Sequence, residues 1–371
     1  MLGVIWAHDL KSTLAGHSLL PYQNQGGAGV DLFFAISGIL ITTRILEEES
    51  LCGFFDIRKF YIRRLFRIQP AAWLYLAVIG CLLVSGSITM LWRHWFGALG
   101  MYENFLYRGQ AFDFQGFFVG HFWSLAVEEH FYILLSLFLL LVKRRRASIL
   151  LFAFLGLMVL RSHAVITGHL TEATWRRTYY QLPILVYAAS VAIALQRENW
   201  RRFAVRYLRP WVVFSATVAF VLLRELRRHL DAPAPADFHP TSLLTAAGYL
   251  RTFFFVLWIA STITHGSALS TRFLEWAPLR WLGRLSYSLY LWHVLFFSAH
   301  DPQVHVSLAP LLALSRRPVK YFAALAAASL SYYFVERPLM RLGHRLAPPA
   351  TPGHPDLAPE AVNPNPQAAT T

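Results

Sequence analysis

Apolar runs recur along nearly the whole chain, near residues 1–8, 29–46, 71–91, 117–142, 148–167, 181–196, 210–223, 243–264, 286–299 and 321–335, with short clusters of Arg and Lys between them. This alternation suits a chain that enters and leaves a bilayer repeatedly, which a helix can do because it satisfies its own backbone hydrogen bonds. Composition agrees: 56% of the 371 residues are hydrophobic and only 15% are charged, with a mean hydropathy of +0.42. A soluble core needs less apolar content than that. The expected fold class is an all-α polytopic membrane protein with about ten transmembrane helices. The first of them is short, since a helix from Met1 to His8 would climb only about 12 Å. It also lacks the basic start and small-residue cleavage pattern of a signal peptide.

The net charge of +14 does not point to nucleic acid, because the basic residues lie in clusters between apolar runs rather than in one domain. They read as topology signals. Loops after even-numbered segments hold 20 Lys and Arg against 11 after odd-numbered ones, so the positive-inside rule places the even loops and both termini in the cytoplasm. The integral-membrane domain is expected over 1–346. From about Ala347 the chain is rich in Pro and Ala and poor in large apolar residues, and a disordered cytoplasmic tail is expected over 347–371. Cys52 and Cys81 do not make a disulfide framework.

Within this frame, polar residues inside apolar runs stand out, because an ionisable group is costly there unless it faces the bundle interior or water. In Gly29-Val30-Asp31-Leu32-Phe33-Phe34-Ala35-Ile36-Ser37-Gly38, helical spacing puts Asp31, Ala35 and Gly38 on one face, a carboxylate above two small residues that admit a neighbouring helix. In Gly120-His121-Phe122-Trp123-Ser124-Leu125-Ala126-Val127-Glu128-Glu129-His130-Phe131-Tyr132, the residues His121, Ser124, Glu128 and Tyr132 form a polar stripe. The same residues would also suit a helix starting at the water interface, with Trp123 and Tyr132 in an aromatic belt and solvated carboxylates. Ser286, Tyr290 and His293 share a third face, where His293 reads equally as a hydrogen-bonded packing residue. His8, followed by Asp9, reads by itself as a helix-end residue, but Asp31 and Glu128 are carboxylates that could orient its imidazole.

The basic segment Ile57-Arg58-Lys59-Phe60-Tyr61-Ile62-Arg63-Arg64-Leu65-Phe66-Arg67 has two readings: a helix facing lipid headgroups, or a phosphate clamp on the cytoplasmic side, since guanidinium groups bind phosphates bidentately. The sequence has no C-x-x-C, H-E-x-x-H, G-x-x-x-x-G-K or nucleophile-elbow pattern, so no metal site or P-loop is expected.

Taken in order, Gly29-Val30-Asp31-Leu32-Phe33-Phe34 with Ser37-Gly38, Phe60-Tyr61-Ile62-Arg63-Arg64 through Arg67 and Pro70, Trp123-Ser124-Leu125 with Glu128 and Phe131-Tyr132, Ser286-Tyr287 through His293, and Val335-Glu336-Arg337-Pro338 resemble the family 3 membrane acyltransferases. That family includes O-acetylases of bacterial surface polysaccharides and macrolide acyltransferases. The resemblance covers nearly the whole chain and implies a multi-pass protein of the bacterial inner membrane. It implies a cytoplasmic acyl-CoA donor, acetyl-CoA first among them, and an acceptor hydroxyl on a carbohydrate, lipid-linked glycan or macrolide. The family carries an Arg before its functional His, with ten residues between them. If His8 is that His, the Arg falls before Met1, and together with the short first segment this leads to the expectation that the chain continues upstream.

On this reading His8 is the general base that takes the proton of the attacking hydroxyl, and Asp31 or Glu128 holds its tautomer and stabilises the imidazolium. Arg63, Arg64 and Arg67 are candidates for the CoA phosphates. Ser37 and Ser124 are candidates for an acylated intermediate, and Tyr290 and His293 are further site candidates. The rival reading is a proton- or ion-coupled transporter with Asp31, Glu128 and His293 as an intramembrane relay. The Gly- or Pro-interrupted helices in matching halves that such transporters carry are not evident in the sequence.

Overall fold

The computed structural model describes residues 25–107, 114–171, 174–230, 241–266, 269–301 and 304–349. His8, the short first segment and nearly all of the tail lie outside the described residues. The helices are α1 Gln25–Cys52, α2 Ile57–Val84, α3 Trp92–Leu99, α4 Phe122–Leu141, α5 Arg146–Ile166, α6 Thr178–Leu195, α7 Glu198–Tyr207, α8 Pro210–Leu230, α9 Thr241–Thr264, α10 Leu269–Leu274, α11 Ala277–Phe297, α12 Ala309–Leu314, α13 Val319–Leu330 and α14 Arg337–Leu346. A π-helical turn, Ser331–Glu336, joins the last two. Among the described residues there is no strand, only an isolated bridge between Ile88 and Val306.

Five of these helices are long and apolar enough to cross a membrane, and the bent pair α7–α8 adds a sixth if it counts as one span. Their outer faces have the character lipid demands. On α5 only Leu150 and Ala164 are buried, while Phe152 is 73% and Val159 69% exposed. In water such a continuous apolar face would drive association; against acyl chains it is at home.

Two expected boundaries shift. The segment expected at 71–91 starts at Ile57, and the one expected at 286–299 starts at Ala277, so Arg63, Arg64, Arg280 and Arg284 sit inside helices. For α2 the reason is local. Gly53, at φ +77°, breaks α1 in a conformation that costs a glycine little, and Asp56 caps α2 by accepting from the Lys59 amide at 3.0 Å. Arg63 and Arg64 are then met by carboxylates of other helices, Glu48 of α1 and Glu128 and Glu129 of α4, while Arg280 and Arg284 are exposed.

Nine of the ten apolar segments fall on described helices that alternate in direction, and their side-chain contacts bring the basic clusters to one end. Glu49 near the end of α1 accepts from Lys143 at 3.2 Å and from Arg146 at 2.5 Å, and Glu48 pairs with Arg63 at 2.5 Å. At the far end of α14, a Cβ on Gly343 would meet Phe66 of α2 at 2.6 Å, and Tyr287 of α11 donates to the Ile68 carbonyl at 2.8 Å. His265, just past α9, lies 3.1 Å from the Val205 carbonyl of α7. The helix ends carrying Arg58, Lys143, Arg202, Arg284 and Arg345 therefore share one face of the bundle.

The interior has two apolar cores. One joins α1, the start of α2, α6 and α9 to Trp123, Val127, Phe131, Leu135 and Leu139 of α4. The other joins the rest of α2, α11 and α13 to Phe122, Leu125 and Ala126 at the start of α4. Gly38 is the point where α1 closes on α6, since a Cβ there would lie 2.6 Å from the Ala188 Cβ and 2.9 Å from the Leu185 carbonyl oxygen. The neighbouring helix expected on the Asp31, Ala35 and Gly38 face is thus α6 at Gly38. Asp31 itself pairs with Arg251 of α9.

Candidate active site

Because α4 contributes to both cores, its polar stripe lies along the seam between them. His121, Ser124, Glu128 and Tyr132 are all buried, which removes the alternative of a solvated interfacial helix start. The Tyr132 hydroxyl donates to Glu128, four residues earlier on the same face. Arg64 reaches across from α2 so that its guanidinium carbon sits 3.1 Å from the centre of the Tyr132 ring. Its Nη2 is 3.8 Å from Glu128 and its Nε 3.6 Å from Glu129. These separations are longer than hydrogen bonds, and the Arg64 Nε is buried without a hydrogen-bond partner.

With Arg64 8% and Glu128 4% exposed, the attraction acts through protein rather than water. Taking one partner away would leave an uncompensated charge, at a cost of about 3–5 kcal/mol. Two carboxylates face one guanidinium, so the group has acidic capacity left for chemistry. Ser37 of α1 is buried, and Tyr61 bonds Ser136 at 2.9 Å on the basic side of the cluster.

Further along the stripe, Ser124 and the Tyr290 hydroxyl are 2.6 Å apart, and Tyr290 also donates to the His121 carbonyl at 2.9 Å. The His293 Nδ1 lies 2.7 Å from the Tyr290 carbonyl, which can only accept, so Nδ1 carries the hydrogen and a neutral ring keeps its lone pair on Nε2. The His121 ring lies 6.0 Å from His293, 5.4 Å from Tyr290 and 5.3 Å from Tyr75. Ser124, Tyr290 and His293 are therefore brought together, whereas Ser286 faces away and donates to the Gly283 carbonyl of its own helix at 2.8 Å.

The other candidates separate. Asp31 and Glu128 are paired with different guanidinium groups, Arg251 and Arg64. Of the three arginines in the basic segment, Arg63 is engaged by Glu48, Arg64 turns inward, and Arg67 is exposed. The sequence reading overlooked Glu129, which adjoins Glu128 but points off the stripe. Glu336, which the sequence reading placed only in the Val335-Glu336-Arg337-Pro338 resemblance and not among the site candidates, is buried where the π-helical turn meets α14 and accepts from Ser288 and from Ser331 at 3.0 Å. A second omission is the fully buried pair of His94 and Glu103, with 2.7 Å between Nδ1 and Oε1. For Glu129, His94 and Glu103 the available signal was a charge inside or beside an apolar stretch.

Comparison with known families matches residues 1–301 to the family described as acyltransferase domain. The chain is similar to the O-acetyltransferase OatA of Staphylococcus aureus, with 27% identity over 93% of this chain and 56% of that protein. It is 28% identical, over 91% of its length and 54% of the relative's, to YrhL of Bacillus subtilis, named for peptidoglycan O-acetylation. The chain thus spans about half the length of these relatives. No solved structure matches.

Proposed function

Because the chain belongs to the acyltransferase domain family, and is an O-acyltransferase, we propose that it moves an acetyl group from acetyl-CoA to a hydroxyl of a glycan, at the buried cluster of Glu128, Arg64 and Tyr132. The burial of that cluster between two apolar cores is the observation that carries the reading, since an ion-paired carboxylate inside a membrane bundle is expensive to keep unless it is used. The peptidoglycan named for YrhL is the acceptor class we favour, and the bacterial inner membrane the location.

In the proposed reaction the acceptor oxygen attacks the thioester carbonyl, the C–S bond breaks, and the hydroxyl proton passes through a base to the departing thiolate. His8 is the base, with Glu128 holding its tautomer, a role typically contributing about 10² to 10⁴ in rate. Arg64 and Tyr132 fix Glu128 for that purpose. The donor approaches from the face carrying the basic helix ends, taken as cytoplasmic by the positive-inside rule. There Arg67, and Arg63 at the edge, suit the phosphates of a CoA thioester. Of the two serines, Ser37 and Ser124, the better placed for an acylated intermediate is Ser124, hydrogen-bonded to the Tyr290 hydroxyl. The relay reading is disfavoured, because family membership supports acyl transfer and Asp31 and Glu128 are paired with separate cations. The test is incorporation of label from acetyl-CoA into glycan by membranes containing the 371-residue chain, against membranes without it.

A further inference from the structure

Between the apolar helices α6 and α8 lies a short helix of different composition, α7. From Glu198 to Arg209 four arginines stand against one carboxylate, with Trp200, Phe203 and Tyr207 among them. The ten residues of α7 climb only about 15 Å, too little to cross a bilayer, whereas the 21 residues of α8 are long enough alone. The two helices meet at a 69° bend around Leu208 and Arg209. With α8 as the span, α7 therefore lies nearer to the membrane plane than to its normal. It does so at the basic end of the bundle, where His265, just past α9, is 3.1 Å from the Val205 carbonyl.

The two faces of α7 differ. Helical spacing puts Trp200, Phe203, Ala204 and Tyr207 on one arc and Arg201, Arg202, Val205 and Arg206 on the other. Ala204 is 1% exposed, as α7 packs on α6 and α9, while Trp200, Phe203 and Tyr207 are 53%, 48% and 56% exposed. Their rings stand in a row, with centroids 6.1 Å apart for the first pair and 4.9 Å for the second. On the opposite face Glu198, Arg201, Arg202, Val205 and Arg206 line a shallow, open cavity of about 380 Å³. Glu198 accepts from the Arg202 Nε at 2.8 Å, and the Arg206 guanidinium carbon is 5.4 Å from the Tyr207 ring. With three guanidinium groups against one carboxylate, the rim of the cavity is left with an excess of positive charge.

We propose that α7 is an interfacial helix whose arginine-lined cavity binds the headgroup of an anionic phospholipid of the cytoplasmic leaflet. Aromatic rings on one face, arginines on the other and an axis near the membrane plane are the attributes of a helix that lies in the interface rather than across it. In water the exposed rings would drive association, but at the level of the headgroups amphipathic rings such as Trp and Tyr are at home. A phosphodiester supplies the negative charge that the cavity rim lacks, and guanidinium groups bind its oxygens bidentately. A soluble phosphate, that of a CoA thioester included, would answer the arginines and leave the aromatic row uncovered. A lipid answers both. Lipid binding at α7 is independent of the acyl-transfer chemistry at Glu128.

The test reconstitutes the full chain in phosphatidylcholine vesicles that contain a trace of phosphatidylglycerol photoactivatable at its headgroup, and maps the crosslinked peptides by mass spectrometry. Label should fall on residues 198–209, and excess phosphatidylglycerol should displace it while excess phosphatidylcholine, CoA and inorganic phosphate do not. Arg201→Gln combined with Arg206→Gln should lower labelling about tenfold or more, and Arg201→Lys combined with Arg206→Lys should retain most of it, because the charge is kept. Where the Gln pair fails to accumulate, tryptophan fluorescence decides: brominated phosphatidylglycerol should quench the parent chain more than brominated phosphatidylcholine does, and the difference should vanish in Trp200→Phe. Undiminished labelling of the Gln pair, or equal labelling by a photoactivatable phosphatidylcholine, overturns the site. Displacement by CoA or inorganic phosphate overturns it as well, by assigning the arginines to a soluble ligand. Failure of lipid both to label 198–209 and to quench Trp200 overturns it in favour of a protein partner over α7.

Discussion

The Arg64 guanidinium lies flat enough on Tyr132 to bring its central carbon 3.1 Å from the ring centre, while the Tyr132 hydroxyl donates to Glu128. One aromatic ring thus ties the cation to the carboxylate that the cation neutralises. Tyr132→Phe keeps the ring under Arg64 and removes only the hydroxyl, so it separates the two roles. It should cost about 1–2 kcal/mol in thermal stability and lower acetyl transfer about tenfold or more. Arg64→Ala should be far more damaging, at about 3–5 kcal/mol, because it strands Glu128 and Glu129. Thermal unfolding in detergent, read beside transfer rate, checks both.

Gly38 supplies a test of packing alone. A Cβ there meets Ala188 and the Leu185 carbonyl of α6, neither of which is a flexible chain end. Gly38→Ala should lower stability by about 1–3 kcal/mol, and Gly38→Leu should prevent accumulation of the protein. Gly156 has open space around its Cβ position, so Gly156→Ala should have little effect in the same melting assay.

The same packing shows what could be read from the sequence. The stripe of His121, Ser124, Glu128 and Tyr132 was legible because one helix face repeats at a fixed spacing, and the small face at Ala35 and Gly38 was legible for the same reason. Which way Arg64 turns was not. Residues 63, 64 and 67 share one basic cluster, and only tertiary contacts decide that Arg63 meets Glu48, Arg64 meets Glu128, and Arg67 stays exposed. Asp31 with Arg251, and Ser288 with Glu336, join residues far apart in the chain, and such pairs leave no periodic trace. His94 and Glu103 are close in sequence, but a helix end and a tight turn separate them, so no single-element spacing links them.

Topology gives a prediction independent of catalysis. Cysteines placed at positions 145, 202 and 345 should react with an impermeant reagent only from the cytoplasmic face, and cysteines at 86 and 307 only from the opposite face, as the positive-inside rule requires for the basic end. Gly86 and Ser307 meet at that opposite end, where the Ser307 amide donates to the Ser87 carbonyl at 2.9 Å. Labelling of 145 and 307 from the same side would contradict the arrangement.

His293 and Asp31 should behave as structural members of the bundle. Replacing His293 with Ala removes the hydrogen bond to the Tyr290 carbonyl, one turn back on the same helix, and should cost about 0.5–1.5 kcal/mol, the usual net worth of an intramolecular hydrogen bond. Asp31→Asn should weaken the link between α1 and α9, with Arg251→Gln partly restoring stability in the double variant, since neither charge is then left alone. A double-mutant cycle on melting temperature reads this coupling directly.

The central claim is that Glu128, with His8, performs acyl transfer, and the most direct measurement is label passed from acetyl-CoA to peptidoglycan fragments by membranes carrying the parent chain, Glu128→Gln or His8→Ala. The account predicts that both variants insert and retain labelled acetyl-CoA as the parent does, while transfer falls by about 10² to 10⁴. Transfer at the parent's rate by either inserted variant would contradict it.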